Sequence, residues 1–281
     1  MTRQMEKLTS QNFFLVDNGS LRPESILYIR EIADDLNKST GVSIIPSGIM
    51  HSHKVDASKL NGMPSLSMDS LFNERNGDAF DSLAIIPLFF GPSLAITDWL
   101  QKKLEEWQSL GSNREFVVAD CIYRHGDERI AEALTENVVS FISKKDKSKP
   151  FVILVDHGTP LPSVNLVREQ LGQIMVKKLD GLISGFSTAC MERRPDSKYD
   201  FNDPLLGQLL IDVQNHGHKK VILAQLFLAP GRHAGTNGDI AEICEPFVKN
   251  GLDVRRTPVL GKHPLVQQVL SERVQEILRI D

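Results

Sequence analysis

The chain carries its own pattern twice, so whatever fold it adopts must be one that can be built twice. Phe13-Phe14-Leu15-Val16-Asp17-Asn18-Gly19-Ser20-Leu21-Arg22-Pro23 returns as Val152-Ile153-Leu154-Val155-Asp156-His157-Gly158-Thr159-Pro160-Leu161-Pro162, which sets Asp17 over Asp156 at an offset of 139 residues. Leu88-Phe89-Phe90-Gly91-Pro92 returns as Leu226-Phe227-Leu228-Ala229-Pro230, and Tyr123-Arg124-His125 as Gly261-Lys262-His263, both at 138. Because the offset hardly drifts, the repeat covers each half and not a single motif. Half of 281 residues is the size of an ordinary domain.

Within each half, short apolar runs alternate with longer segments of helical period, the pattern of βαβ units around a parallel sheet. In the second half, strands are expected near Phe151 to Val155, Gly181 to Phe186, Lys220 to Phe227 and Leu252 to Thr257. Helical faces are read from Leu166, Leu171, Ile174 and Met175, from Leu205, Leu206, Leu209, Leu210 and Val213, and from Val266, Val269, Leu270, Val274 and Ile277. The first half repeats the plan with strands near Phe13 to Val16, Val42 to Pro46, Leu83 to Phe89 and Glu115 to Cys121, and helices from Pro23, Ile96 and Ile130. Strands this continuously apolar are covered on both faces. The expected fold class is therefore α/β, two tandem lobes of about four parallel strands each, flanked by helices. The charged, apolar-poor stretch Ser143 to Pro150 reads as the linker, giving lobes of 1–146 and 147–281.

The copies differ where chemistry would be placed. His157 replaces Asn18 directly after the first strand of its half, and His233 stands at the position of Ala95. In open parallel sheets, ligands bind beyond the carboxyl ends of the strands, where loops and helix N-termini converge. Both histidines fall on that edge, and so does Glu192, which follows the second strand. Two imidazoles and a carboxylate suit a borderline divalent metal and leave coordination positions open. Arg193, Arg194, Arg232 and Lys262 lie on loops at the same mouth and are candidate binders of an anionic substrate.

The segments Val155-Asp156-His157-Gly158-Thr159, Leu226 to His233 followed by Asp239-Ile240, and Pro258 to Pro264 resemble the sirohydrochlorin cobaltochelatase and ferrochelatase family, the class II tetrapyrrole chelatases, which need no ATP. The resemblance covers both halves and is sharp in the second. It implies that His157 and His233 bind the incoming Co²⁺ or Fe²⁺ and help take up pyrrole protons, with Glu192 assisting. It also implies a two-lobed form with a working site in one lobe and a tetrapyrrole as substrate, and no organic cofactor. The chain departs from the family pattern in the added Gly235-Thr236-Asn237-Gly238 and in a longer stretch from Arg194 to Pro204. Ligands of this type accept Ni²⁺ or Zn²⁺ as well. The alternative reading is a chelatase-derived protein that binds or carries metal or tetrapyrrole without turnover, and a third is a phosphorylated-metabolite enzyme using the glycine-rich loop Gly231 to Asp239.

Composition narrows the remainder. A formal charge of −4 gives nucleic acid no general electrostatic attraction. With 24% charged residues and no apolar run of spanning length, a membrane protein is not expected. Met1 to Asn12 lacks the apolar core of a secretion signal, so a cytoplasmic setting is expected, with further pairing into a homo-oligomer left open. Cys121, Cys190 and Cys244 are too scattered for a CxxC metal site and read as buried thiols. His51 and His53 form an H-x-H that could serve as auxiliary ligands against a solvated-loop reading. His125 and His263 match across the repeat and read as having a helix-start or packing role common to both halves; His216 and His218 read as a solvated helix end. G-x-S-x-G, P-loop and G-x-G-x-x-G motifs do not occur.

Overall fold

The computed structural model describes residues 12–73, 76–143 and 148–280. The N-terminal stretch Met1 to Gln11 and the Lys144 to Lys147 portion of the expected linker lie outside the described residues. In the first half, β1 (Asn12–Asp17), β2 (Ile44–Gly48), β3 (Leu66–Ser67), β4 (Ser82–Pro87) and β5 (Glu115–Val118) form a parallel sheet in the order β3-β2-β1-β4-β5. In the second, β6 (Phe151–Asp156), β7 (Gly185–Cys190), β8 (Lys220–Gln225) and β9 (Asp253–Arg256) form a parallel sheet in the order β7-β6-β8-β9. The expected α/β class therefore holds, with one addition. The first sheet has a fifth strand, two residues long, too short for periodicity to register.

Among the described residues the α-helices are α1 (Pro23–Thr40), α2 (Met68–Asn73), α3 (Gln101–Ser109, entered through a π-helical turn at Ala95–Leu100), α4 (Arg129–Ser140), α5 (Pro162–Lys178), α6 (Leu206–Asn215), α7 (Asp239–Lys249) and α8 (Pro264–Ile280). Proline at the first turn starts both α1 and α5, where its fixed φ suits the helix and its missing N–H costs nothing. Among the described residues none of these helices is long and apolar enough to cross a membrane.

Each sheet has its own core. On one face of the second sheet, Ile153, Val155, Val221 and Leu223 pack with Leu206, Leu210 and Val213 of α6 and Ile240 and Cys244 of α7. On one face of the first, Phe14, Val16, Leu83 and Ile85 pack with Met68 and Leu71 of α2 and Leu104 and Trp107 of α3. Full burial of each such side chain contributes about 1.5–3 kcal/mol relative to exposure. The repeat persists in the backbone. The N–H of Ile49 donates to Asp17 O at 2.7 Å and that of Met191 to Asp156 O at 2.8 Å; Ile122 donates to Phe89 O at 2.9 Å and Leu260 to Phe227 O at 2.7 Å.

The compact units do not follow the repeat boundary expected at 146/147. One unit comprises the chain up to Arg124 together with Gln267 onward, and the other comprises His125–Val266. α4, which closes the first repeat, packs on α5 and β8 of the second unit, and most of α8, which closes the second repeat, belongs to the first unit. In that first unit Arg273 of α8 is fully buried, its Nη2 donating to Ile122 O at 3.3 Å, while Arg124 forms a two-pronged pair with Glu276 at 2.6 Å. The closing helices are exchanged between the repeats. An amphipathic helix needs only an apolar sheet face to cover, and a sequence repeat does not say which face that is.

Candidate metal centre

β6 is flanked by β7 on one side and β8 on the other, so the chain reverses direction across the sheet between β6 and β8. Loops leaving adjacent strands at such a reversal diverge and open a crevice at the carboxyl edge. His157 leaves β6 and His233 follows β8, one on each side of that reversal. Their rings meet edge to face, with centroids 4.6 Å apart. Glu192, from the loop after β7, places Oε1 3.1 Å from His157 Nε2. The three residues singled out from sequence thus come together. Two ligands bonded at about 2.1 Å to a common ion, 90 to 110° apart, are separated by roughly 3.0–3.4 Å, which is the spacing of that N–O pair. Among the described residues no set of three or more His, Cys, Asp and Glu is already disposed around one ion position.

Each imidazole is oriented by its Nδ1. His233 Nδ1 lies 2.8 Å from Asp239 Oδ2, at the first turn of α7. The carboxylate accepts the Nδ1–H, fixing the tautomer and leaving the Nε2 lone pair free for a cation or a proton. Burial lowers the His233 pKa from its ordinary value, the hydrogen bond it donates to Asp239 opposing that, so the ring is neutral near pH 7. His157 Nδ1 lies 3.0 Å from Gly158 O, which directs its Nε2 toward Glu192 in the same sense. Sequence reading treated Asp239 as no more than part of a family-like segment. The available signal was an acidic residue at a helix N-terminus six positions after a histidine. Asp239→Asn is expected to lower metal affinity or turnover by about 10- to 100-fold, measured by metal titration, while the circular dichroism spectrum stays unchanged.

The loops themselves are over-determined. Glu192 N–H donates to His157 O at 3.1 Å, and Gly158, at φ +96°, brings its Cα so close that a Cβ would stand 1.9 Å from Glu192 O. Only glycine permits that approach. The added glycine loop folds back on itself: Asp239 N–H donates to Arg232 O at 2.9 Å, and a Cβ on Gly238 would meet Arg232 O at 2.5 Å. Its glycines thus serve close packing that presents His233 to Asp239.

Beneath the His157 loop lies a charged support that sequence reading missed. Arg168 of α5 is fully buried, with Nη1 3.0 Å from Asp156 Oδ1, Nε 2.9 Å from Glu169 Oε1, and Nη2 donating to Asn202 O at 2.9 Å. Burial pushes the Asp156 carboxyl up from its ordinary value, and the Arg168 guanidinium opposes it. Asn202, also buried, exchanges hydrogen bonds with the backbone of Thr159, both at 2.9 Å. The signal for Arg168 was its counterpart at the same offset, Ile29, an apolar residue marking an interior position.

The candidate anion binders divide. Arg193 is held by Asp203 at 2.6 Å and Asp200 at 3.0 Å, so its donors are engaged within its own loop. Arg194 donates to the Tyr199 hydroxyl at 3.0 Å and lies over that ring. Arg232 is 71% exposed, its Nε 3.3 Å from Asp239. Lys262 is exposed. Four other histidines have local partners: His53 Nδ1 with Ser67 Oγ at 2.6 Å, His263 with Glu136 at 3.3 Å, His216 Nδ1 with Asp212 O at 2.7 Å and His218 Nδ1 with Ser184 Oγ at 3.3 Å, while His51 is exposed at φ +69°. Burial raises the Cys121, Cys190 and Cys244 thiols to about 11; Cys190 and Cys244 are the buried thiols expected, while Cys121 is only half-buried.

Residues 151–277, which include the paired histidines, match the family model described as CbiX. The chain is similar to a sirohydrochlorin cobaltochelatase of Methanococcus maripaludis, 36% identical over 93 residues, 33% of this chain and 56% of that protein. It is also similar to a chloroplastic sirohydrochlorin ferrochelatase of Arabidopsis thaliana, 26% identical over 129 residues, 45% of this chain and 52% of that protein. The chain spans about half the length of these curated relatives. Among solved structures, the chain resembles SirB from Bacillus subtilis with Fe³⁺, at a TM-score of 0.69 and 13% identity over 95% of both chains. It resembles likewise the sirohydrochlorin chelatase SirB from Bacillus subtilis subspecies spizizenii in complex with cobalt, at 0.64 and 13% over 96% of both. At that identity the likeness establishes a shared fold alone.

Proposed function

We propose that this protein is a tetrapyrrole chelatase that inserts Co²⁺ or Fe²⁺ into sirohydrochlorin or a related macrocycle without ATP. The observation that carries the reading is the meeting of His157 and His233 at a ring separation of 4.6 Å, each with its Nδ1 tethered. Insertion requires two macrocycle N–H protons to leave as the divalent cation enters. A neutral imidazole can hold the cation loosely or accept a proton, and two such groups at one rim can do both in succession. Glu192, 3.1 Å from His157 Nε2, balances metal charge and passes released protons outward. The relatives' names support sirohydrochlorin as substrate, and an octacarboxylate of that kind suits the exposed Arg194, Arg232 and Lys262 as rim contacts. Arg193, already held by two aspartates, serves that rim by fixing its loop.

The test is the absorption spectrum of sirohydrochlorin mixed with Co²⁺ or Fe²⁺. With this protein the conversion is expected to run well above the protein-free rate; binding without acceleration would leave a carrier and overturn the reading. Because the lowered pKa of His233 keeps it neutral above its ordinary value of 6.5, the rate is expected to hold from pH 8 down to about 6.5 and to fall below that as the ring takes up a proton. A rate that rises on acidification contradicts the role given to that ring.

A further inference from the structure

The two units differ at one partly buried carboxylate in a way that their shared backbone isolates. In the second unit Asp156 ends β6 and is paired with the buried Arg168 at 3.0 Å. In the first, Asp17 ends β1 at the matching place, and its Oδ1 accepts the Gly19 N–H at 3.0 Å, as Asp156 Oδ1 accepts that of Gly158 at 3.1 Å. The counterpart of Arg168 on α1 is Ile29, and no cationic side chain among the described residues pairs with Asp17. Where the second unit holds a guanidinium, the first has an open cavity of about 300 Å³.

That cavity has the character of a small-ligand site, at the lower end of the usual size range. Asp17 and Ser47 supply acceptors, while Ile26, Ile29, Ile45 and Leu66 supply apolar wall. The other charged groups lining it are Arg30 and Asp34, both of α1. Arg30 already donates to Leu60 O at 2.9 Å, Met63 O at 2.8 Å and Pro64 O at 3.2 Å. With both carboxylates ionised, the lining therefore carries one more negative charge than positive. Desolvation raises the Asp17 carboxyl to about 7, the direction expected of a carboxylate lacking a counter-charge.

We propose that this cavity binds a small organic cation with a guanidinium head and a short apolar tail, the head pairing with Asp17 as Arg168 pairs with Asp156. The planar fork of a guanidinium matches a carboxylate with two parallel N–H donors, which a point-like ammonium does not. The tail lies along Ile26 and Ile29. Binding draws Asp17 into its ionised form, so affinity rises as pH rises from 6 to 8.

The test is calorimetric titration of the intact protein with propylguanidinium, propylammonium and the neutral isostere propylurea, at concentrations well below denaturing. Saturable one-to-one binding of propylguanidinium is expected, at least about 10-fold weaker in Asp17→Asn. Ile29→Arg is expected to abolish binding by placing this chain's own guanidinium in the cavity, and to raise Tm. Circular dichroism confirms that both variants are folded. Absence of saturable binding, equal affinity for propylurea or propylammonium, or an unchanged affinity in Asp17→Asn would overturn the proposal. None of these readouts involves metal insertion, so their failure is separate from that of the chelatase reading.

Discussion

His157→Ala and His233→Ala are each expected to lower the rate of metal insertion by about 10²- to 10⁴-fold, the range over which a positioned acid–base group acts. Each substitution takes away one of two imidazoles whose ring centroids lie 4.6 Å apart, and in the proposed reaction the remaining ring can hold the cation or receive the proton but not both. Stability is expected to change little. The His157 side chain is 46% exposed and that of His233 31% exposed, so neither anchors the core. The double variant is expected to lose scarcely more than either single one, because groups that act as a unit are not additive. Insertion at the unaltered rate in both single variants, measured from the change in the macrocycle's absorption, would remove the site assignment.

Arg168→Ala carries the largest expected effect on stability. It deletes a fully buried guanidinium that serves Asp156, Glu169 and the Asn202 carbonyl together. Breaking a buried ion pair from one side leaves a desolvated charge without a partner and costs about 3–5 kcal/mol. For a protein of this size Tm is expected to fall by roughly 10 °C. The same change loosens the tie between the Thr159 backbone and Asn202, so metal affinity should fall with stability. Adding Asp156→Asn to Arg168→Ala removes the stranded charge and is expected to restore part of the loss. A single variant within about 0.5 kcal/mol of the parent would show that Asp156 does not need its cation.

The sequence made the duplicated α/β plan and the identity of the paired histidines legible, for a physical reason. Sheet strands and the residues immediately after them are fixed by local pattern, and the edge to which His157, Glu192 and His233 belong follows from strand direction alone. Helix faces were readable where the whole face is apolar: Val266, Val269, Leu270, Val274 and Ile277 are all buried. On α5 the reading failed by a fraction of a turn. Leu166 is 52% exposed, while Arg168 faces inward, because a charged side chain is assigned to solvent by any count of apolar residues. The second-half strand expected at Gly181 to Phe186 begins at Gly185, since the chain first turns through Gly181 at φ +72°. The exchange of α4 and α8 between repeats was not legible at all, because it depends on which sheet each helix covers. Asp239 was visible as a helix-start acid, but its hold on His233 exists only once the glycine loop has folded back.

X-ray absorption at the cobalt edge of the protein loaded with one equivalent of Co²⁺ reads the convergence of the two imidazoles directly. Two imidazole ligands per cobalt, with nitrogen at about 2.1 Å, are expected in the parent protein, falling to one in His157→Ala and to one in His233→Ala. An imidazole count that is zero in the parent, or that stays at two in either variant, would contradict a shared ion between His157 and His233.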